Sequence, residues 1–171
     1  SDGGNGIGYA SMRVRGTDAN RINFTVDGVP VNDSESHGVF WVNMPDFASS
    51  VENIQIQRGA GTSTNGAAAF GATVSMQTQR PSPKPYLEVV SSAGSFGTFT
   101  NTFCGGTGLL WEHFVFDARY SNVQTDGYIE RARADMNSYY GSAAYYNGGT
   151  MIKFQTFGSS EVTYQAWNGV D

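Results

Sequence analysis

Cysteine is almost missing from this chain: Cys104 is the only one among 171 residues. A single thiol excludes an internal disulfide and a cysteine-rich zinc site. Cys104 reads as a small buried or lipid-facing apolar residue. Histidine is nearly as scarce, with His37 and His113 far apart in sequence. Basic residues are few. Ten Lys and Arg stand against fifteen Asp and Glu, giving a net charge of −5. They are scattered rather than striped, so a nucleic-acid footprint is excluded. No apolar run approaches the ~20 residues that a membrane-spanning helix needs. That absence leaves a membrane β-barrel open, because alternating strands average to mild polarity.

Catalytic spacing is also lacking. Gly61 to Gly66 mimics a phosphate loop, but Ala67 and Ala68 stand where Lys and Ser or Thr are required. Gly61 to Asn65 lacks the closing glycine of a nucleophile elbow. Asp33, Glu35 and His37 alternate before Gly38 in the manner of a calcium loop, yet Met44 takes the place of the closing glutamate. A solvated turn is the better reading there. His113, opening a strand beside Trp111, reads as a strand-end or interface-belt residue. The chain is expected to be no enzyme, with no catalytic residue, no cofactor and no metal.

What the chain does have is glycine and aromatic residues. Its 22 glycines are nearly twice the average share of about 7%. Together they indicate a β-rich chain with many turns. Period-two alternation marks the strands. Met12 and Val14 oppose Arg13 and Arg15, ending at Gly16. Ile22, Phe24 and Val26 oppose Asn23 and Thr25. Asp27-Gly28 is the strongest hairpin signal, and Pro30 confines the residues around it to an edge or turn. Asn43 is placed to cap a short helical turn that includes Pro45 and Asp46 and ends by Ser50. Ile54 and Ile56 oppose Asn53, Gln55 and Gln57. Ala72, Val74 and Met76 oppose Thr73, Ser75 and Gln77. A glycine-rich stretch without apolar periodicity joins these last two strands, and a connection that long is usually functional.

Arg80-Pro81-Ser82-Pro83-Lys84-Pro85 has three prolines in five residues, a semi-rigid linker. Beyond it the strands lengthen and become aromatic: 86–93, 98–107, 112–123, 136–147 and 150–157. In the clearest, Phe114, Phe116, Ala118 and Tyr120 oppose Val115, Asp117, Arg119 and Ser121. About 10 residues rise roughly 33 Å and, tilted near 45°, cover about 23 Å. That matches the apolar band of an outer-membrane barrel, about 25 Å tall. Asn147-Gly148-Gly149 and Gly108 to Trp111 are short connections. Gln124 to Asp135 is long and charged, and residues from Gly158 onward read as open loop. The short turn at Gly94 to Gly97 breaks this asymmetry.

The ordered set Val51-Glu52, Ile54-Gln55-Ile56, Arg58-Gly59, Asn65-Gly66 and Ala72-Thr73-Val74-Ser75-Met76-Gln77-Thr78 resembles the plug-domain signature of TonB-dependent outer-membrane receptors. Thr25-Val26-Asp27-Gly28-Val29-Pro30, after Arg15-Gly16, fits the same family. Ala60 replaces the usual proline, Asn65 the usual tyrosine, and Ala72-Thr73 the usual Gly-Gly pair. Residues 163–170 resemble a loop stretch of some members.

The resemblance implies an α+β plug domain over 1–80, a Pro-rich linker over 81–85, and over 86–171 the first antiparallel β strands of an incomplete transmembrane β-barrel. The full protein is expected to have 22 strands, on the order of 500 residues. The chain is therefore expected to be a piece of a longer one. The implied function is TonB-dependent import of a scarce nutrient across the bacterial outer membrane, with a ferric siderophore or haem as the first choice. Oligosaccharide or vitamin B12 import is the alternative within the family. The implied partners are the TonB energy-coupling protein, through a box expected before Ser1, a small substrate such as a ferric chelate, and outer-membrane lipid.

Arg15 and Arg58 stand where the family has plug arginines that pair with acids of the barrel wall. Candidate substrate-facing residues are Asn32, Asp33, Glu35, His37, Phe40 and Trp41, with Thr62, Ser63, Thr64 and Asn65. Phe40 and Trp41 either stack on a sugar or catecholate, or belong to the plug core. From other classes, a soluble β-rich glycan-binding or adhesion module would bury the Phe114, Phe116 and Tyr120 stripe as core. An outer-membrane enzyme would need a Ser/His pair converging from separate strands.

Overall fold

The computed structural model describes Ile7 and residues 11–60 and 70–164; of Val42 it describes only the backbone. The chain divides into two compact units. The first comprises Ala10–Trp41 and Ala48–Gln79. The second gathers Arg80–Asp171 together with the short segment Val42–Phe47.

The first unit is built on a four-stranded sheet of order β2-β1-β4-β3. β1 (Ile22–Val26) turns at Asp27 and Gly28, both with positive φ (48° and 84°), into β2 (Val29–Pro30). This is the hairpin that Asp-Gly predicts, and Pro30 lies on the edge strand. β3 (Val51–Arg58) pairs antiparallel with β4 (Ala72–Thr78), and β4 runs parallel to β1. Ile22, Phe24, Val26, Ala72, Val74 and Met76 form the buried apolar core. Ile54 and Ile56 pair with Met76 and Val74 but lie half-exposed at the sheet edge.

Two local expectations change. Met12 to Gly16 is not a strand. Arg15 (φ 52°) and Gly16 (φ 81°) both turn left-handed, and the Thr17 amide and hydroxyl both donate to the Val14 carbonyl, at 3.0 and 2.6 Å. A hydrogen-bonded turn thus outweighs four residues of alternation. The single helical turn expected from Asn43 to Ser50 is two 3₁₀ turns, Trp41–Asn43 and Phe47–Ser50, separated around Pro45 and a left-handed Asp46 (φ 53°).

The second unit holds a five-stranded antiparallel meander. Its strands are β5 (Pro85–Gly94), β6 (Thr98–Thr107), β7 (Phe114–Thr125), β8 (Ala134–Asn147) and β9 (Thr150–Thr163), paired in sequence order. β9 continues past Gly158 instead of opening into a loop, because its ladder with β8 runs unbroken from Asn147↔Thr150 to Ala134↔Thr163. At about 3.4 Å per residue, β8 and β9 reach roughly 48 Å. They are longer than an apolar band, so their far ends need no apolar side chains.

One face of this sheet is the reverse of what a soluble protein presents to water. In register across the strands, Val89, Phe103, Tyr120 and Tyr139 share one face with Leu87, Phe116, Phe154 and Ile152. All of these are exposed, Leu87 at 81% and Phe154 at 68%. The opposite face is mixed: Thr102, Arg119, Ser121, Ser138 and Ser142 are buried on it among Val115, Val123, Met136, Tyr140 and Ala144. Thr102 Oγ1 and Ser121 Oγ lie 3.0 Å apart across β6 and β7. Water drives apolar faces inward. A sheet that exposes a continuous apolar and aromatic face while burying hydroxyls and a guanidinium fits an incomplete barrel wall, apolar on its outside.

Candidate functional site

The loop after β2 is held by Asn32. Its side-chain carbonyl accepts from the Phe24 amide at 2.7 Å, and its amide donates to the carbonyls of Ile22 and His37, both at 2.8 Å. Asn32 therefore fastens the loop to the sheet edge rather than reaching outward. Replacing it with alanine should cost about 2–3 kcal/mol, three neutral bonds at about 1 kcal/mol each. Faster hydrogen exchange at the Phe24 amide and faster cleavage within 33–38 would show the loss. Unchanged exchange would show that the bonds carry no load.

Asp33 closes the next turn. Its Oδ2 accepts from the Ser36 amide (2.7 Å), the Ser36 hydroxyl (2.9 Å) and the Glu35 amide (3.1 Å). The bonds from Ser36 chiefly hold its carboxyl below the usual carboxylate range. The Asp33 amide donates to the Gly38 carbonyl and the His37 amide to the Asp33 carbonyl, so 33–38 is a compact knot. Glu35 and His37 lie exposed on it. This is an anion-capped turn, which explains the calcium-loop look of the sequence. Among the described residues no three His, Cys, Asp or Glu side chains gather to hold a metal ion.

Phe40 and Trp41 part company. Trp41 meets Phe24 edge-on, ring centroids 4.9 Å apart, and so covers the apolar core. Phe40 is 54% exposed, open to stacking with a flat ligand. Thr62, Ser63, Thr64 and Asn65 lie outside the described residues. Arg15 and Arg58 are both exposed, Arg58 closing β3 just before the positive-φ Gly59.

A different arginine makes an ion pair. Within the second unit, Arg119 Nη1 lies 3.0 Å from Asp46 Oδ2. The same nitrogen donates to Ser138 Oγ at 3.3 Å. Sequence reasoning missed this pair, whose partners are 73 residues apart. The one signal was an arginine at an alternate position of an otherwise aromatic strand. Reasoning also missed the second role of Asp27, whose carboxylate accepts from the Thr78 amide (2.8 Å) and the Thr78 hydroxyl (2.5 Å).

The sheet order, the Asp-Gly hairpin and the inverted wall can be set beside known proteins. Residues 1–73 match the family model described as TonB-dependent Receptor Plug Domain. Over those residues the chain is similar to the plug domain of TonB-dependent receptors. The meander after the plug is likewise shared with solved receptors. One is the pyoverdine outer membrane receptor FpvA from Pseudomonas aeruginosa, at 20% identity and TM-score 0.67, covering 87% of this chain and 22% of that one. Another is the siderophore receptor PirA from Acinetobacter baumannii, at 17% identity and TM-score 0.67, covering 94% of this chain and 27% of that one. The copper transporter OprC matches at 15% identity and TM-score 0.71, covering 93% of this chain and 27% of that one. The chain thus spans between 22% and 27% of the length of these structures. At such identities the likeness is one of fold. No curated protein matches the chain. TonB-dependent receptors with a plug domain are outer-membrane transporters of Gram-negative bacteria, not enzymes.

Proposed function

We propose that this chain is the plug (1–80), linker (81–85) and first wall strands (86–171) of a bacterial outer-membrane receptor. The receptor imports a scarce nutrient, a ferric siderophore first among the choices, with energy from TonB. The observation that carries this reading is the inverted second sheet following a matched plug. A plug needs a wall whose inner face is polar and whose outer face is apolar, and a soluble glycan-binding module does not. The siderophore choice draws on the described ligands of FpvA and PirA. Phe40, the exposed knot 33–38 and the stretch 62–65 are the surfaces proposed to meet the substrate. Arg15 and Arg58 are proposed to pair with acids of the wall.

The test is growth under iron limitation. A strain lacking its own ferric-chelate receptors and supplied with the receptor containing this chain should grow on at least one chelate class, and only with TonB present. Growth on copper-limited medium but on no iron chelate would move the substrate to copper. Receptor in the outer membrane with no TonB-dependent uptake of any kind would overturn the transport reading.

A further inference from the structure

The outward face of the five-stranded sheet changes chemistry at one level. In register across β5 to β9, one row on it is Val89, Phe103, Tyr120, Tyr139 and Gly158. Residues two apart on a strand share a face. Two residues further along each strand, toward the connections 95–97 and 126–133, the next row is Ser91, Asn101, Asn122, Asn137 and Ser160. All five strands carry an amide or a hydroxyl at this level. One row beyond, Phe99 and Val162 are again exposed apolar side chains. The polar row thus has apolar neighbours on both sides.

Its members are linked. Ser91 Oγ donates to Asn101 Oδ1 at 2.9 Å. The Tyr120 hydroxyl, reaching up from the row below, donates to Asn137 Oδ1 at 2.8 Å, and Asn122 Nδ2 donates to the same oxygen at 2.9 Å. Asn122 and Gln124 also donate to Asp135, at 3.2 and 3.3 Å. These bonds align the row without exhausting it, since each side-chain amide offers two donors and two acceptor lone pairs. Among the described residues, the side-chain nitrogens of Asn101 and Asn137 donate to no protein group.

The level of the row says what can reach it. Asn122 stands eight residues beyond Phe114 on β7. That is roughly 27 Å along the strand and, at a tilt near 45°, about 19 Å in height. With Phe114 and the exposed Trp111 against it at the opposite rim, the row lies near one edge of an apolar band about 25 Å tall. The longest connection of the sheet, 126–133, leaves from this end, and long loops mark the outer side of such barrels. Polar groups facing hydrocarbon are costly unless they are bonded, and at this depth lipid headgroups can bond them. Across this row and the one beyond it Asp135 is the only charge, so a phosphate finds no cation there. Amides and hydroxyls beside aromatic rings suit a sugar instead: each sugar hydroxyl both donates and accepts, and a ring face stacks on Tyr or Phe.

We propose that Ser91, Asn101, Asn122, Asn137 and Ser160 bind the sugar headgroup of an outer-leaflet glycolipid, whose acyl chains lie along the aromatic rows beneath. This rests on the receptor reading above.

The test uses the whole receptor, purified from outer membranes in mild detergent. Native mass spectrometry counts the lipid retained after titration with lipid A, an acylated glucosamine disaccharide, and separately with phosphatidylethanolamine. Asn122→Leu combined with Asn137→Leu should weaken retention of lipid A about fivefold or more and leave phosphatidylethanolamine unchanged. Equal retention of lipid A by variant and wild type, or a loss shared equally by both lipids, would overturn the proposal. So would a wild-type dimer that the double variant loses with lipid A unaffected, which would make the row a contact between copies. A heat-resistant band in semi-native electrophoresis shows that the double variant is folded. If it is not, Asn101→Ala reads the same row alone, and unchanged lipid A retention there overturns the proposal. The receptor reading fails separately, as a wild-type protein with no heat-resistant band or outside the outer membrane, and takes this inference with it.

Discussion

Phe116→Arg is expected to weaken the folding equilibrium of the receptor in the membrane by roughly 30-fold or more. Phe116 lies on the exposed face of β7, stacked near Phe114 at 6.5 Å between centroids. Its register neighbours are Ala143 on β8 and, beyond that, Phe154 on β9. If this face meets lipid, an arginine here costs about 2–4 kcal/mol near the midplane, less toward the interfaces. If it meets water, the same change is close to neutral, because replacing an exposed side chain moves stability by about 0.5 kcal/mol at most. The environments therefore differ by about an order of magnitude or more in the folding equilibrium constant. Semi-native electrophoresis along a urea titration, which separates heat-resistant folded barrel from unfolded chain, reads that constant. Phe116→Tyr serves as the control and should assemble normally. Wild-type assembly of Phe116→Arg would remove the wall reading of the second sheet.

Asp27→Ala is expected to destabilise the plug sheet by about 3–4 kcal/mol. Two effects add. The carboxylate makes two bonds to Thr78, and bonds to a charged group are worth about 1.5–3 kcal/mol each, toward the low end on an exposed residue. The left-handed backbone at φ 48° costs alanine about 1 kcal/mol that aspartate better tolerates. The location makes the bonds matter. β1 and β4 are parallel, so no hairpin joins them, and Asp27 staples the end of one to the end of the other across 51 residues. Its own amide donates to the Met76 carbonyl at 2.9 Å, completing the closure. A loss of about 3 kcal/mol corresponds to roughly a 100-fold rise in the open plug population. Limited proteolysis of the folded receptor should then cut the plug about that much faster. Asp27→Asn keeps the turn and one acceptor and should fall between. Equal cleavage rates for Asp27→Ala and wild type would show that the parallel pair holds without the staple.

The sequence alone determined the strands whose faces differ in kind. Ile22, Phe24 and Val26 against Asn23 and Thr25, or Phe114, Phe116 and Tyr120 against Arg119 and Ser121, are written in period two, because successive side chains of a strand point oppositely. It also determined the Asp27-Gly28 turn, since two consecutive left-handed residues are a local demand. It misjudged Met12 to Gly16, where four alternating residues were outweighed by a turn, and the end of β9, where pairing with β8 extended a strand that polar residues made look like a loop.

Only the tertiary structure decided which face of each sheet is hidden. Alternation defines two faces but not their surroundings: the same Phe114, Phe116 and Tyr120 stripe is a core in water and an outer skin in a barrel wall. The structure buries Arg119 and leaves the rings exposed. It alone also brought Asp46 to Arg119 and Asp27 to Thr78, turned Asn32 into a clamp and folded Trp41 onto Phe24. These contacts join residues 8 to 73 positions apart. Local periodicity has no term for such distances; they are set by which strands become neighbours, and that is settled only when the whole chain has folded.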